Sequence, residues 1–543
     1  MATMERLLIL GLDGATWTVL DPMRQRGLMP NLDALLARSA HGTLRSTIPP
    51  VTTAAWTTMQ TGCSPARHGV FDHRYYDAAA GQMKVNHAGR VRVPTLWQLL
   101  SAAGRSVVSL NLPGTYPPPE VRGLIVSGMD APHLDAALSG SPAFGALLRQ
   151  EVPGYDLTYH WKRAPQSLEE LAANARQTVA SFQARAEGGR LADRFVPDWS
   201  VLMVQFQNLD PFQHRVWKYL NVDETGIEAP AWNEAAGSVL AGLDAAIGRL
   251  CELADRRGAA VLVVSDHGFG PCLGRVHVHR ILIDAGVARL PRASGRLVRK
   301  ASQAVERLRL WGAKRDDPRA RSASFDQSVA AQFPFDWKRT LAFAPHQDTA
   351  AMVYLNSVRR HPGAPLQTPR QIDDARQAAR AALTAARHPE TGEPLFPQVI
   401  ATADAYGLDP AAEGYPDLIA LPAEPYWVRT KLAPGSAWVE ADPNLPGTHR
   451  PEGIVALAGP EIPPGRTLRA ELIDVLPTIL RLFELPIPPY VEGKPLDCLP
   501  ERTGPRPDPA APGLPGPHRP QFEYSPEEQA IIEQRLADLG YLE

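Results

Sequence analysis

Leu7-Leu8-Ile9-Leu10-Gly11-Leu12-Asp13-Gly14 is the stretch that decides the fold. Its apolar run shows no polar alternation, as expected of a strand buried on both faces in a parallel sheet. It stops abruptly at an acid followed by glycine. Two later stretches repeat the design. Val201-Leu-Met-Val-Gln-Phe206 leads into Asp210-Pro-Phe-Gln-His214, and Ala259-Ala-Val-Leu-Val-Val264 ends at Ser265-Asp266-His267-Gly268. A helical apolar pattern from about Ala235 to Asp255 precedes the third. Strands alternating with helices require a sheet covered by helices. In such sheets ligands gather beyond the carboxyl ends of the strands, which makes the acids and histidines placed there functional candidates.

Two further strings join this set. Pro49-Pro50 forces an extended approach, and a helix is expected from Thr53 to Thr61-Gly62. Thr52 then lies near the N-cap, where free amides and the helix dipole favour an anion. Asp210 and His214 share a face if a helix begins there. Asp266 and His267 are adjacent, so both serve one site only where a strand breaks into a loop. His449, in Pro446-Gly447-Thr448-His449, is expected in a loop folding back over the site. Each alone has a plain reading as a turn aspartate, a helix cap or a surface histidine. Together Asp13, Thr52, Asp210, His214, Asp266, His267 and His449 form a ligand inventory for two divalent cations with a hydroxyl nucleophile between them. Aspartate and histidine without thiolate suit zinc, with manganese or magnesium as alternatives. Hydrolysis at phosphorus is the leading expectation.

The bulk properties permit this and exclude others. With 543 residues, 44% hydrophobic and 21% charged, the chain can bury a large core. A net charge of −2 gives no general attraction to nucleic acid. The four cysteines are scattered without a CxxC, against both a disulfide framework and a thiolate metal site. The apolar run at Leu7 is too short for a signal peptide or a membrane span, so a cytoplasmic protein is expected. Residues 1–500 read as one catalytic unit, with insertions at about 113–195 and 275–340 forming a cap. The second insertion carries a basic amphipathic helix around Leu297 to Trp311. Residues 501–520 read as a Pro/Gly-rich linker and 521–543 as a C-terminal helix opened by the capping box Ser525-Pro526-Glu527-Glu528. This tail is expected to dock on the body or a partner without a chemical role. Nothing in the sequence indicates an oligomeric state.

These motifs resemble the alkaline phosphatase superfamily, and within it the type I phosphodiesterase/nucleotide pyrophosphatase branch. The resemblance runs from Leu7–Gly14 through Met29-Pro-Asn-Leu-Asp33 and Thr61-Gly62 to His68-Gly69, and on to the end of the core. The ending Leu539-Gly540-Tyr541-Leu542 looks like that of bacterial members. The resemblance implies an α/β alkaline-phosphatase-like core, a mostly parallel sheet flanked by helices with cap insertions. It implies one metal at Asp210, His214 and His449, and a second at Asp13, Asp266 and His267 with Thr52 between them. It further implies attack by Thr52, a covalent phospho-threonine intermediate released by water, and a small phosphate ester or nucleotide as substrate. Where the branch has an asparagine donating to the phosphoryl oxygen, this chain has His73, able to donate the same bond. That departure leaves the substrate class open.

Rival readings share these residues. Cys63-Ser-Pro-Ala-Arg67 matches the sulfatase string Cys-x-Pro-x-Arg, but Thr52 already fills the nucleophile slot and Cys63 comes after Thr61-Gly62. A phosphomonoesterase or phosphonate hydrolase on the same metals is the stronger rival. A monoester dianion needs an added cation, for which Arg74 and Arg215, then Arg275 and Arg280, are candidates. A non-catalytic scaffold is disfavoured by the intact ligand set. Specificity is expected from the two insertions and from the loop Phe343 to Asp348. His277 and His279, alternating on one strand face, are expected to be structural.

Overall fold

The computed structural model describes residues 4–138, 140–157, 161–220, 230–291, 329–345, 349–432, 438–499, 522–539 and 541. Leu7–Leu12 is a strand with every residue buried. It lies inside an eight-stranded sheet ordered Thr467–Glu471, Ser39–Arg45, Glu452–Ala458, Ala260–Val264, Leu7–Leu12, Trp199–Phe206, Ser106–Leu112 and Gly123–Ser127. All pairings are parallel except the two made by Glu452–Ala458.

Unbroken apolar strands follow from helices on both faces. Leu8, Leu10 and Leu12 point into one core with Val239, Leu243 and Ile247 of the helix Pro230–Arg257. That helix packs along a second long one, Leu168–Phe195. Leu7 and Ile9 point the other way, onto Trp56 of the helix Thr52–Thr61 and Leu476 of the helix Val475–Leu482. The Met29–Asp33 motif has a structural cause. Asp244 accepts hydrogen bonds from the Asn31 and Leu32 amides (3.1 and 2.8 Å) and from Asn31 Nδ2 (2.7 Å), clamping the helix Pro30–Leu36 to Pro230–Arg257.

Residues 113–195, expected to form part of a cap, contribute to the main layers. This region supplies the edge strand Gly123–Ser127 and the helix Leu168–Phe195, both parts of the main layers rather than a cap. Its polar composition hid a short edge strand and a helix rich in alanine and glycine. A separate core instead forms around the antiparallel sheet Ala342–Phe343, Ala351–Leu355, Leu418–Leu421 and Gln398–Ala401, covered by the helix Pro369–Ala385. The basic helix around 297–311, residues 346–348 of the Phe343 loop and the 501–520 linker lie outside the described residues. Among the described residues no helix is long and apolar enough to cross a membrane.

Three parallel strands, Leu7–Leu12, Trp199–Phe206 and Ala260–Val264, end at the same sheet edge. Glu452–Ala458 runs the opposite way, so its start lies there too. The residues before it are not a loop: Gly447–Arg450 pairs antiparallel with Gly268–Pro271, setting His449 opposite Phe269. This ladder brings residues 267 and 449 together.

Candidate active site

All three histidines expected to bind metal share one device. His214 Nδ1 faces the Gly447 carbonyl (2.9 Å), His267 Nδ1 the Gly268 carbonyl (3.0 Å) and His449 Nδ1 the Pro50 carbonyl (2.9 Å). A carbonyl only accepts, so each Nδ1 carries the proton and each Nε2 turns a lone pair inward. Those lone pairs meet acceptors. His449 Nε2 lies 3.0 Å from Asp210 Oδ1 and 3.1 Å from His214 Nε2, and His214 Nε2 lies 3.5 Å from Asp210 Oδ1. Asp210 and His214 share a face of the helix Leu209–Val216, as their spacing predicts.

The carboxylates of the neighbouring group are arranged alike. Asp13 Oδ2 accepts from Trp56 Nε1 (3.0 Å) and Gln205 Nε2 (2.6 Å), while Oδ1 has no hydrogen-bond partner among the described residues. Asp266 Oδ1 accepts from the Gly14 amide (3.0 Å), while Oδ2 has none and lies 3.3 Å from His267 Nε2. Gly14 makes this turn at φ 68°, and a Cβ there would meet Phe269 Cδ2 at 2.9 Å, so glycine is required. Gln213 ties the two parts together by donating to the Gly14 carbonyl (2.9 Å).

Ligand atoms of Asp13, Asp266 and His267 lie within 4.8 Å of one another, and so do those of Asp210, His267 and His449. The rings of His267 and His449 stack at 3.6 Å, so the two groups are contiguous. Thr52 stands beside them as the first residue of its helix, with Oγ1 3.4 Å from His267 Nε2. The helix begins one residue before the sequence suggested, and Thr52 is buried. Its first-turn amides have no acceptor within the helix, which favours an anion at this end. The Thr61–Gly69 motif braces the helix from its far end: Thr58 Oγ1 meets His68 Nε2 at 3.0 Å and the Val70 amide donates to His68 Nδ1.

Burial sets the electrostatics. It pushes Asp13, Asp210 and Asp266 well above the usual carboxylate range, and repulsion from a neighbouring acid adds to this for Asp13 and Asp266. It pushes His214 and His267 well below the ordinary histidine value and His449 down to about 3. Neutral imidazoles, inward lone pairs and orphaned carboxylate oxygens make a buried pocket of acceptors that divalent cations would satisfy. The donor set therefore fits two such ions, borderline in softness.

His73 Nδ1 lies 2.7 Å from Thr53 Oγ1, next to the nucleophile candidate. Other candidates fall elsewhere. His277 meets Glu440 Oε2 (3.0 Å) and the Lys431 carbonyl (3.3 Å), while His279, on a helix rather than a strand, lies between the Thr430 carbonyl and the Ala344 amide. Arg215 is turned to the backbone, donating to Trp161, Asn444 and Asp538 carbonyls. Arg275 pairs with Asp442 (2.6 Å) and Arg280 with Asp284 (2.8 Å). Cys63 is buried at the opposite end of the Thr52 helix, and burial pushes its thiol up to about 12.

A cavity of about 210 Å³ adjoins His449, lined among others by Arg45, Pro50, Thr349, Glu424, Tyr426 and Arg450. None of these lies in the insertions assigned to specificity. Gln205, Trp56 and Gln213 were also missed: polar residues in an apolar strand or helix were the available signal. Tyr541 is the largest surprise, since its hydroxyl lies 3.0 Å from His449 Nε2.

Buried acids and histidines thus gather at the carboxyl edge of a mostly parallel sheet. Residues 7–442 match the family described as type I phosphodiesterase / nucleotide pyrophosphatase, and the chain belongs to that family, a group of divalent-metal phosphoric ester hydrolases. Its fold is similar to that of phosphonoacetate hydrolase from Sinorhizobium meliloti 1021 in complex with phosphonoformate (19% identity, TM-score 0.48, covering 87% of this chain and 94% of that one). It is also similar to murine ectonucleotide pyrophosphatase/phosphodiesterase 5 (12% identity, TM-score 0.47, covering 89% and 96%). No curated protein gave a significant match.

Proposed function

We propose that this protein hydrolyses phosphodiester or nucleotide pyrophosphate bonds of small molecules, with Thr52 as nucleophile and two divalent cations, zinc in the first instance. The observation that carries the reading is Thr52 Oγ1 at a buried helix start, 3.4 Å from the inward lone pair of His267. Asp210, His214 and His449 would hold one ion, and Asp13, Asp266 and His267 the other. Bound there, the ions would act as Lewis acids that stabilise charge on the attacking and departing oxygens.

The chain's own residues do the rest. The helix start orients Thr52 and offers amides to the phosphoryl oxygens. His73, held by Thr53, stands where it can donate to the same group. Displacement at phosphorus joins the Thr52 oxygen to the phosphoryl group and expels the alcohol or nucleotide. Water then displaces Thr52 and restores its hydroxyl. Burial of Thr52 limits access by other nucleophiles. Arg215, Arg275 and Arg280, suggested for a monoester dianion, are bound to backbone carbonyls or carboxylates, which favours the singly charged diester.

Metal-reconstituted protein should be assayed on bis-p-nitrophenyl phosphate, a nucleoside 5′-monophosphate p-nitrophenyl ester, p-nitrophenyl phosphate and p-nitrophenyl sulfate. The reading expects preference for a diester, lost in Thr52→Ala. Monoester preference, or diester turnover that survives Thr52→Ala, would overturn it.

A further inference from the structure

The cavity beside His449 lies where the end of the main sheet meets the second core. Arg45, Ser46 and Pro50 line one side, from the strand Ser39–Arg45 and the chain that follows it. Gln398 and Tyr426 line the other. Its volume of about 210 Å³ is far above the roughly 10–15 Å³ that a single water needs, so a ligand group fits.

The first of these sides is tied to the candidate metal ligands. Ser46 Oγ donates to the Asp266 carbonyl (2.5 Å), and the Pro50 carbonyl faces His449 Nδ1 (2.9 Å). Thr52 follows two residues later, beside His267. The Ser46 amide donates to the Pro451 carbonyl (2.7 Å), and Arg45 pairs with Glu452 across the sheet, which fixes the segment from its other end. The chain from Arg45 to Thr52 thus touches both the cavity and the site, and His449 is common to the two.

The charges of the lining are uneven. Arg450 is matched, since its Nε pairs with Glu424 (3.1 Å) and its other nitrogens donate to the His449 and Pro271 carbonyls. Arg45 is exposed, and no hydrogen bond or ion pair engages its guanidinium among the described residues. Two arginines against one glutamate leave the lining with a single unmatched positive charge. An exposed arginine alone means little, because surface charges are usually met by water. Here the charge borders a cavity that shares a residue with the site, and a guanidinium presents paired donors that match a phosphate.

We propose that this cavity receives the leaving group and that Arg45 binds a phosphate carried on it. The preferred bond is then the pyrophosphate of a nucleotide rather than a diester to a neutral alcohol. This rests on the phosphoryl-transfer reading and deepens it by naming the leaving group. The Thr52 oxygen forms its bond to phosphorus and gives up its proton to solvent. The bond from phosphorus to the bridging oxygen breaks, and the departing phosphate keeps the electron pair, a charge that Arg45 meets.

Binding of ADP and AMP should be measured by calorimetry in metal-loaded, full-length Thr52→Ala, where the covalent bond cannot form. ADP carries the second phosphate that Arg45 is assigned to hold, and AMP lacks it. The proposal expects ADP to bind about 10-fold or more tightly than AMP, the size of one bond to a charged oxygen. Adding Arg45→Gln should bring the two affinities within about twofold of each other. With Thr52 intact, Arg45→Gln should lower the ratio of kcat/KM for ADP to that for bis-p-nitrophenyl phosphate by about 10-fold. Equal affinities for ADP and AMP in Thr52→Ala, or a preference that survives Arg45→Gln, would overturn the proposal. If the parent turns over no ester, the diesterase reading fails, while the ADP-to-AMP ratio still decides the role of Arg45.

Discussion

Gln205→Leu is the perturbation that most sharply separates the two halves of the site. Gln205 Nε2 donates at 2.6 Å to Asp13 Oδ2 and at 3.2 Å to Gln207 Oε1, and is fully buried. Leucine keeps the bulk and deletes the donor, leaving Trp56 Nε1 to donate to that carboxylate oxygen. In the metal-free protein burial holds Asp13 toward its protonated form, so the loss there is that of a neutral bond, about 1 kcal/mol. A bound cation requires the ionised carboxylate, and a bond to a charged group contributes about 1.5–3 kcal/mol. The difference, about 0.5–2 kcal/mol, corresponds to a roughly 2- to 30-fold loss of affinity, whose upper part overlaps the range of about 10- to 100-fold seen when outer partners of a metal ligand are removed. Asp210, His214 and His449 take no bond from Gln205, so affinity at that group should stay within about threefold. Zinc titration against a chelating indicator should resolve two binding steps in the parent and weaken one of them in Gln205→Leu. Equal weakening of both steps, or unchanged affinity in both, would refute this arrangement.

Two further outcomes are expected. His68 is buried and pushed down to about 3 by its surroundings, from an ordinary 6.5. Its folded value is depressed, so it contributes stability above about pH 6.5 that is lost as pH falls toward 3. Unfolding free energy from urea melts should fall across that window through several buried histidines, and His68→Gln should reduce the slope by up to about 1.4 kcal/mol per pH unit; equal slopes in parent and variant would contradict the assignment. Cys63→Ser should leave diester turnover within about twofold of the parent, since the thiol lies a full ten-residue helix, about 15 Å, from Thr52. Loss of turnover with an unchanged fold would bring back the sulfatase reading.

How much was legible depended on the length scale of each signal. Leu7–Leu12 is a local pattern, and its uninterrupted apolar run announced a strand covered on both faces. Asp210 and His214 were readable because four residues make one helical turn. His449 was placed in a loop because Gly447–Arg450 is a short strand whose partner, Gly268–Pro271, lies far away in sequence. Short strands with glycine carry little pattern of their own. Gln205 looked like an interruption in an apolar strand, and only the fold shows Asp13 waiting beside it. The tail misled most. A capped helix after a Pro/Gly-rich stretch gives no local sign of where its last turn lands, and the cluster of Trp427, Leu445 and Met129 that receives it is assembled from distant segments.

The central claim is that Thr52 forms a bond to phosphorus. Metal-loaded protein turning over a nucleoside 5′-monophosphate p-nitrophenyl ester should be quenched in acid and its peptides examined by mass spectrometry. The account predicts the nucleotidyl group on the peptide bearing Thr52, at residue 52 on fragmentation, and none in Thr52→Ala. Turnover at an undiminished rate in Thr52→Ala, or the adduct on another residue, would contradict it.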